Sequence, residues 1–188
     1  MPQLGTVKTK NMNHAIILAA GQGKRMSSRK NKMLTLAGGK PIIYYSLIAY
    51  NDHPEIDTVT IVANKNNKDE ITRLVRGHNL KKVEKIVLGG LSRQTSLGKG
   101  LESIKTISKK GDLVIVHNGA NPLPSFAEIS QAISTAEKSE ACIVGHYISS
   151  TVKEIDDKHI IKTHDRKKMF AAETPQVVEC SLLRKALR

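Results

Sequence analysis

The chain has 188 residues, 39% hydrophobic, 25% charged and 3% aromatic, with no tryptophan; it suits one globular domain with a real core and disfavours a single-strand nucleic-acid platform, which stacks bases on aromatics. Its 30 Lys and Arg against 17 Asp and Glu give a net charge of +13, which attracts nucleic acid or phosphorylated metabolites or simply solvates the surface; scatter into short clusters such as Lys81-Lys82 and Lys167-Lys168 argues against a nucleic-acid stripe. No apolar stretch approaches membrane-spanning length and Cys142 and Cys180 lack metal or redox spacing, so a cytoplasmic protein without membrane contact is expected.

Residues 1–13 are polar, lack the apolar segment of a signal peptide and are expected to form a flexible N-terminal arm. The remaining residues, 14–188, read as a single domain. It opens on the apolar run 14–20, a buried strand that stops in Gly21-Gln22-Gly23-Lys24-Arg25-Met26. Glycines let a backbone bring its N–H groups against an anion, and Lys24, Arg25 and Lys32 add charge. A dinucleotide fingerprint is excluded because Met26 stands where its third glycine belongs, and a Walker loop because the spacing before Gly23-Lys24 is wrong. On this stretch alone, phosphate binding stands level with a plain glycine turn carrying solvated cations.

A helix with proline in its first turn follows over 41–50, then a β-branched strand over 58–63 and an amphipathic helix over 69–76 that ends at Gly77. Residues 85–88 form a strand that breaks at Gly89-Gly90 and feeds a helix running from 91 through Ile107, again placing a helix N-terminus after a glycine turn. Residues 112–117 are the clearest strand, apolar throughout as in a parallel sheet covered on both faces. They end in the turn Asn118-Gly119-Ala120-Asn121-Pro122, before a helix over 126–137. This rhythm predicts an α/β fold, an open and mostly parallel sheet flanked by helices, with ligands beyond the carboxyl ends of its strands. Residues 141–148 are a further strand, 151–155 and 159–163 a hairpin arm spanning about 150–166, and a helix begins at Ser181.

LAAGQGKRM (18–26) with Lys32, GGLSRQTS (89–96), VIVHNGANP (114–122), STVK (150–153), THDR (163–166) and ETPQ (173–176) together resemble the 2-C-methyl-D-erythritol 4-phosphate cytidylyltransferases of the non-mevalonate isoprenoid pathway. The resemblance implies a Rossmann-like nucleotidyltransferase that uses CTP, a polyol phosphate and Mg²⁺ and acts as a homodimer. It implies that Arg25 and Lys32 face the triphosphate and the reacting phosphorus, that Ala19, Ala20, Gly21 and Gly23 face the nucleotide, and that Gly90 and Ser96 read cytosine. By the same resemblance Thr174 lies on the acceptor side, and Thr151 and Arg166, with Lys153 nearby, reach the polyol phosphate held by the other subunit. Asn118 stands where the family has a metal-side aspartate and is expected to be a weak metal ligand, since Mg²⁺ prefers charged oxygens. Asn121 replaces an arginine, and Leu91 an acidic residue beside the cytosine. Family members continue to a further strand ending in a lysine, which is expected to be missing from a chain that ends at Arg188. Ribitol 5-phosphate is the alternative acceptor, because its cytidylyltransferases share most of the pattern. A catalytically weak nucleotide-binding homologue is the other alternative, because of Asn118 and Asn121.

Overall fold

The first strand, β1 (Asn13–Ala19), is buried over its whole length because side chains alternate between two helical layers. Ala15, Ile17 and Ala19 enter one core, and Ile16 and Leu18 the other. These positions come from a computed structural model that describes residues 10–21 and 32–188. Most of the expected N-terminal arm, and Gly23, Lys24 and Arg25, lie outside the described residues.

After β1, a 3-10 turn at Lys32–Leu34 leads to a small hairpin, β2 (Leu36–Ala37) and β3 (Lys40–Pro41). Then come α1 (Ile42–Asp52), β4 (Thr58–Ala63), α2 (Lys68–Gly77), β5 (Val83–Leu88), α3 (Arg93–Ser103), β6 (Leu113–Asn118) and α4 (Phe126–Ser139). The chain continues through β7 (Ala141–Tyr147), β8 (Val152–Asp156), β9 (His159–His164), β10 (Phe170–Glu179) and α5 (Cys180–Ala186). The main sheet runs β5-β4-β1-β6-β10-β7. β5, β4, β1 and β6 pair in parallel, whereas β10 is antiparallel to both its neighbours. This is the α/β, mostly parallel sheet expected from the sequence.

Ile43, Leu47 and Tyr50 of α1, Ile71 of α2 and Ile129, Ile133 and Ala136 of α4 cover one face. Leu101 of α3 with Cys180 and Leu183 of α5 covers the other. Each fully buried Ile or Leu contributes on the order of 1.5–3 kcal/mol. The second layer sits very close: a Cβ on Gly100 would stand 2.8 Å from Ile16 Cγ2 and 2.9 Å from Val62 Cγ2. Among the described residues no helix is long and apolar enough to cross a membrane.

Several boundaries differ from the sequence reading. α3 ends at Ser103 rather than Ile107, because Ile104 turns out of the helix as its C-cap and the chain closes in short turns. Pro41 is the N-cap of α1 rather than part of its first turn. Asp112 precedes β6, where its carboxylate accepts the N–H groups of Met12 (2.9 Å) and Lys109 (2.8 Å). Asn13, expected in the arm, begins β1, and its N–H donates to Asp57 Oδ2 (2.7 Å). β8 and β9 form the expected hairpin as a two-stranded sheet of their own.

Gly100→Val is expected to lower the unfolding free energy by about 1–3 kcal/mol through overpacking, seen as a lower urea midpoint at an unchanged m-value.

Candidate functional site

The parallel strands finish level. Ala19 lies opposite Ala63, Ala63 opposite Leu88, and Leu18 opposite Asn118, so their connections share the edge where open α/β sheets collect ligands. At that edge Asn67 Nδ2 donates to the Ala19 carbonyl (2.9 Å) and Asn64 Nδ2 to the Ala20 carbonyl (3.2 Å). Two side chains from the end of β4 thereby hold the exit of β1. Gly21 follows, exposed.

The turn after β5 packs directly on this exit. A Cβ on Gly89 would come within 2.4 Å of the Ala20 Cβ and 2.8 Å of Ser96 Oγ, so the approach requires glycine. The Gly90 N–H donates to Ser96 Oγ (3.0 Å), and Ser96 is buried. A capping box between Ser92 and Thr95, which supplies partners for otherwise orphaned N–H groups, fixes the start of α3. Ala20 and the Gly89–Ser96 turn, far apart in sequence, are thus brought together at this edge.

The turn after β6 borders a cavity of about 850 Å³ lined by Arg93, His117, Asn118, Asn121 and Thr174 among others, which Arg93 joins to the start of α3. Thr174 is carried there by β10, whose pairing with β7 shifts between Ala172 and Gln176 and lets the intervening residues bulge. Its Oγ1 accepts from Asn121 Nδ2 (3.1 Å) and, at longer range, from the Asn118 N–H (3.4 Å). Arg93, the first residue of α3, donates from Nη1 to Asn118 Oδ1. Beneath the turn, the Ser46 hydroxyl of α1 reaches the Asn121 carbonyl (2.9 Å) and the Gly119 carbonyl (3.2 Å).

His117 Nε2 lies 2.9 Å from the Asn121 carbonyl, and its ring packs 5.0 Å from that of Tyr50. Burial, the largest influence, pushes its pKa down to about 4, against the raising effect of that backbone hydrogen bond. The ring is therefore neutral near pH 7 and donates Nε2–H to the turn.

Lys32 is exposed on the 3-10 turn, which Met33 anchors in the core beside α1. Arg25 and Gly23 lie outside the described residues. Thr151 and Arg166 sit at the base of the arm, exposed, with Arg166 Nη1 donating to the Ser149 carbonyl (2.6 Å). Neither lines the cavity of its own chain. Lys153 Nζ donates to Thr163 Oγ1 (2.8 Å), bracing the two arm strands.

Arg93, His117 and Ser46 were not singled out as site residues from sequence. For Arg93 a signal existed: a cation in the first turn of a helix is opposed by the helix dipole, so its position needs a compensating partner. His117 and Ser46 carry no such mark, since their partners are backbone carbonyls of a distant turn.

The divalent cation implied by the resemblance finds a poor donor set. Asn118 offers a neutral carbonyl oxygen, and Arg93 occupies it. The Glu128 carboxylate is turned onto the Ser125 N–H and hydroxyl (both 2.9 Å), and Glu173 pairs with His146 Nδ1 (3.2 Å). Among the described residues no group of three or more His, Cys, Asp or Glu could hold a metal. Residues 22–31 contain none of those four types. The residues present therefore do not fit a protein-held Mg²⁺.

Comparison with known proteins gives a consistent picture. The family model described as IspD, 2-C-methyl-D-erythritol 4-phosphate cytidylyltransferase, matches residues 13–188. The 2-C-methyl-D-erythritol 4-phosphate cytidylyltransferase of Lachnoclostridium phytofermentans is 40% identical over 177 residues, covering 92% of this chain and 72% of its own. That of Halalkalibacterium halodurans is 34% identical over 176 residues, covering 93% and 75%. The crystal structure of the same-named protein from Francisella tularensis superposes with a TM-score of 0.78 at 27% identity, covering 94% of this chain and 76% of that one.

Because His117 binds its proton near pH 4 when folded and near 6.5 when unfolded, the unfolded state takes up more protons between those values. The resulting stabilisation, about 3 kcal/mol, is complete above pH 6.5 and is lost as the pH falls toward 4. Urea midpoints measured across that range should fall less steeply for His117→Gln than for the wild type.

Proposed function

The chain belongs to the 2-C-methyl-D-erythritol 4-phosphate cytidylyltransferase family, and on that premise we propose how its site transfers a cytidylyl group from CTP to 2-C-methyl-D-erythritol 4-phosphate for isoprenoid synthesis. The observation that carries this reading is the level edge of the sheet. Along that edge Ala20 packs on the turn that carries Gly90 and Ser96, and Arg93 of the same helix start reaches Asn118, whose turn holds Thr174 through Asn121.

In the reaction an oxygen of the polyol phosphate attacks the α-phosphorus of CTP in line. A new P–O bond forms, the bond to the α,β-bridging oxygen breaks, and pyrophosphate leaves with the electron pair. No covalent intermediate with the protein is needed, so its residues act by positioning and by stabilising charge. In this reading the backbone of Ala19, Ala20, Gly21 and Gly23 cradles the nucleotide. Gly90 and the Ser96 turn, made rigid by their mutual hydrogen bond, present the surface that cytosine meets. Arg25 and Lys32 meet the triphosphate and the charge that develops at phosphorus, and Thr174 faces the acceptor.

Thr151 and Arg166 act in a neighbouring subunit's cavity, within a homodimer built on the arm. Support comes from the exposure of Ile155, Ile160 and Ile161, at 64%, 63% and 60%, apolar surface that a partner would cover. The family is generally divalent-metal dependent, and any Mg²⁺ used in the chemical step would be held by the triphosphate oxygens rather than by a protein cluster. We place the protein in the cytoplasm with its two small substrates, and the reading calls for neither a nucleic-acid nor a membrane partner.

In a pyrophosphate-release assay, Arg25→Ala and Lys32→Ala are each expected to lower kcat by about 10²- to 10³-fold. Faster release with ribitol 5-phosphate would reassign the acceptor, and CTP binding without release for any polyol phosphate would make the protein a nucleotide-binding homologue. Arg166→Ala should also be inactive alone. Mixed with Lys32→Ala subunits it should recover about a quarter of wild-type activity, because half the re-formed dimers then hold one intact site; no recovery would mean that Arg166 does not act across subunits.

A further inference from the structure

The cavity combines three features that the family pattern does not explain together: an amide at Asn118, a guanidinium seated on that amide, and no cluster of metal-holding side chains among the described residues. We infer that Arg93 supplies at this position the positive charge expected of a divalent cation, so that the triphosphate of CTP docks on this chain without one. The inference rests on the CTP reading of the site and deepens it.

Asn118 has a neutral side chain, so it positions the Arg93 guanidinium without cancelling its charge. An aspartate there would form an ion pair with Arg93, and the pair would present little net charge to an incoming anion. With the amide, Arg93 keeps unspent N–H donors in the planar fork that matches phosphate oxygens. Its placement is costly in isolation, because the N-terminal end of α3 carries positive partial charge of its own. That same field adds to the attraction once an anion arrives.

Asn118 is held by its side chain and by its backbone. Its Oδ1 is taken by Arg93, while the Asn118 backbone N–H lies 3.4 Å from Thr174 Oγ1, which also accepts from Asn121 Nδ2. In sequence, the stretch 22–32 that follows β1 contains Lys24, Arg25, Arg29, Lys30 and Lys32 and no acidic residue. The carboxylates nearest the turn are committed elsewhere, Glu128 to its own helix cap and Glu173 to His146. An anion therefore meets the Arg93 guanidinium and amides here, whereas a divalent cation meets no group of three or more His, Cys, Asp or Glu among the described residues.

The test is CTP binding by isothermal titration calorimetry on the full chain, once with Mg²⁺ and once with EDTA. Wild-type affinity should agree between the two within about threefold. Arg93→Met should weaken binding in EDTA by about tenfold or more, and Arg93→Lys should recover part of the loss. Asn118→Asp should weaken binding in EDTA by about tenfold, with Mg²⁺ restoring it. Wild-type binding that requires Mg²⁺, or Arg93→Met binding CTP in EDTA as well as wild type, would overturn the inference while leaving the transferase reading standing. So would a loss confined to methylerythritol 4-phosphate with CTP unaffected, which would put the acceptor's phosphate on Arg93. No CTP binding under either condition would instead overturn the CTP reading and the inference with it.

Discussion

Sliding β1 by one residue against β4 or β6 would push Ile16 and Leu18 into the layer now filled by Ala15 and Ile17. The two layers cannot exchange contents. One is deep, built on Tyr50, Leu47, Ile129 and Ile133, and the other is shallow, with α3 resting at Gly100 against Ile16 and Val62. Because the side-chain period of a strand is two, that difference locks the register. The register brings Ala19, Ala63, Leu88 and Asn118 to one level, and every contact at the site depends on it. Ala20 meets Gly89, Arg93 reaches Asn118, and Asn64 and Asn67 reach back to β1 only because the strands end together.

The turn after β6 shows how charge is arranged at that level. Relative to the aspartate and arginine that the sequence resemblance implies, Asn118 and Asn121 carry one negative and one positive charge fewer, so the turn's net charge is the same. What changes is the type of contact. An ionic pattern gives way to a hydrogen-bonded one, in which Asn121, Thr174, Ser46 and the neutral His117 hold the loop through amides, hydroxyls and carbonyls. Such a network is specific in direction, because each donor has a defined acceptor.

The alternation of strands and helices was legible because it is local. Leu113, Val114, Ile115 and Val116 announce a doubly covered strand by themselves, and Gly89-Gly90 marks the turn after β5 wherever the rest of the chain lies. The strand-end turns that carry Ala20 and Gly90 were likewise readable, from their glycines. Less visible was whatever depends on tertiary pairing. Phe170–Glu179 contains Pro175, which weakens a strand reading, and nothing local says that it inserts between β6 and β7. The two-residue strands β2 and β3 are too short to leave a periodic trace, and Ile104 and Ile107 continue a helical pattern that the backbone abandons at Ser103. Arg93 looked like a surface cation because Asn118, 25 residues away, is its partner only in the folded chain.

The sheet order β6-β10-β7 also constrains how the protein is made. β7 joins the sheet through β10, and β10 is translated after the whole arm. A nascent chain can assemble β5, β4, β1 and β6 early, but the outer edge of β6 stays unpaired until residues 170–179 clear the ribosome. An open, apolar strand edge is a template for association with other chains. The vulnerable interval in this protein's synthesis therefore runs from the completion of β6 to the emergence of β10, and the segment that ends it is the one that carries Thr174 to the sheet's edge.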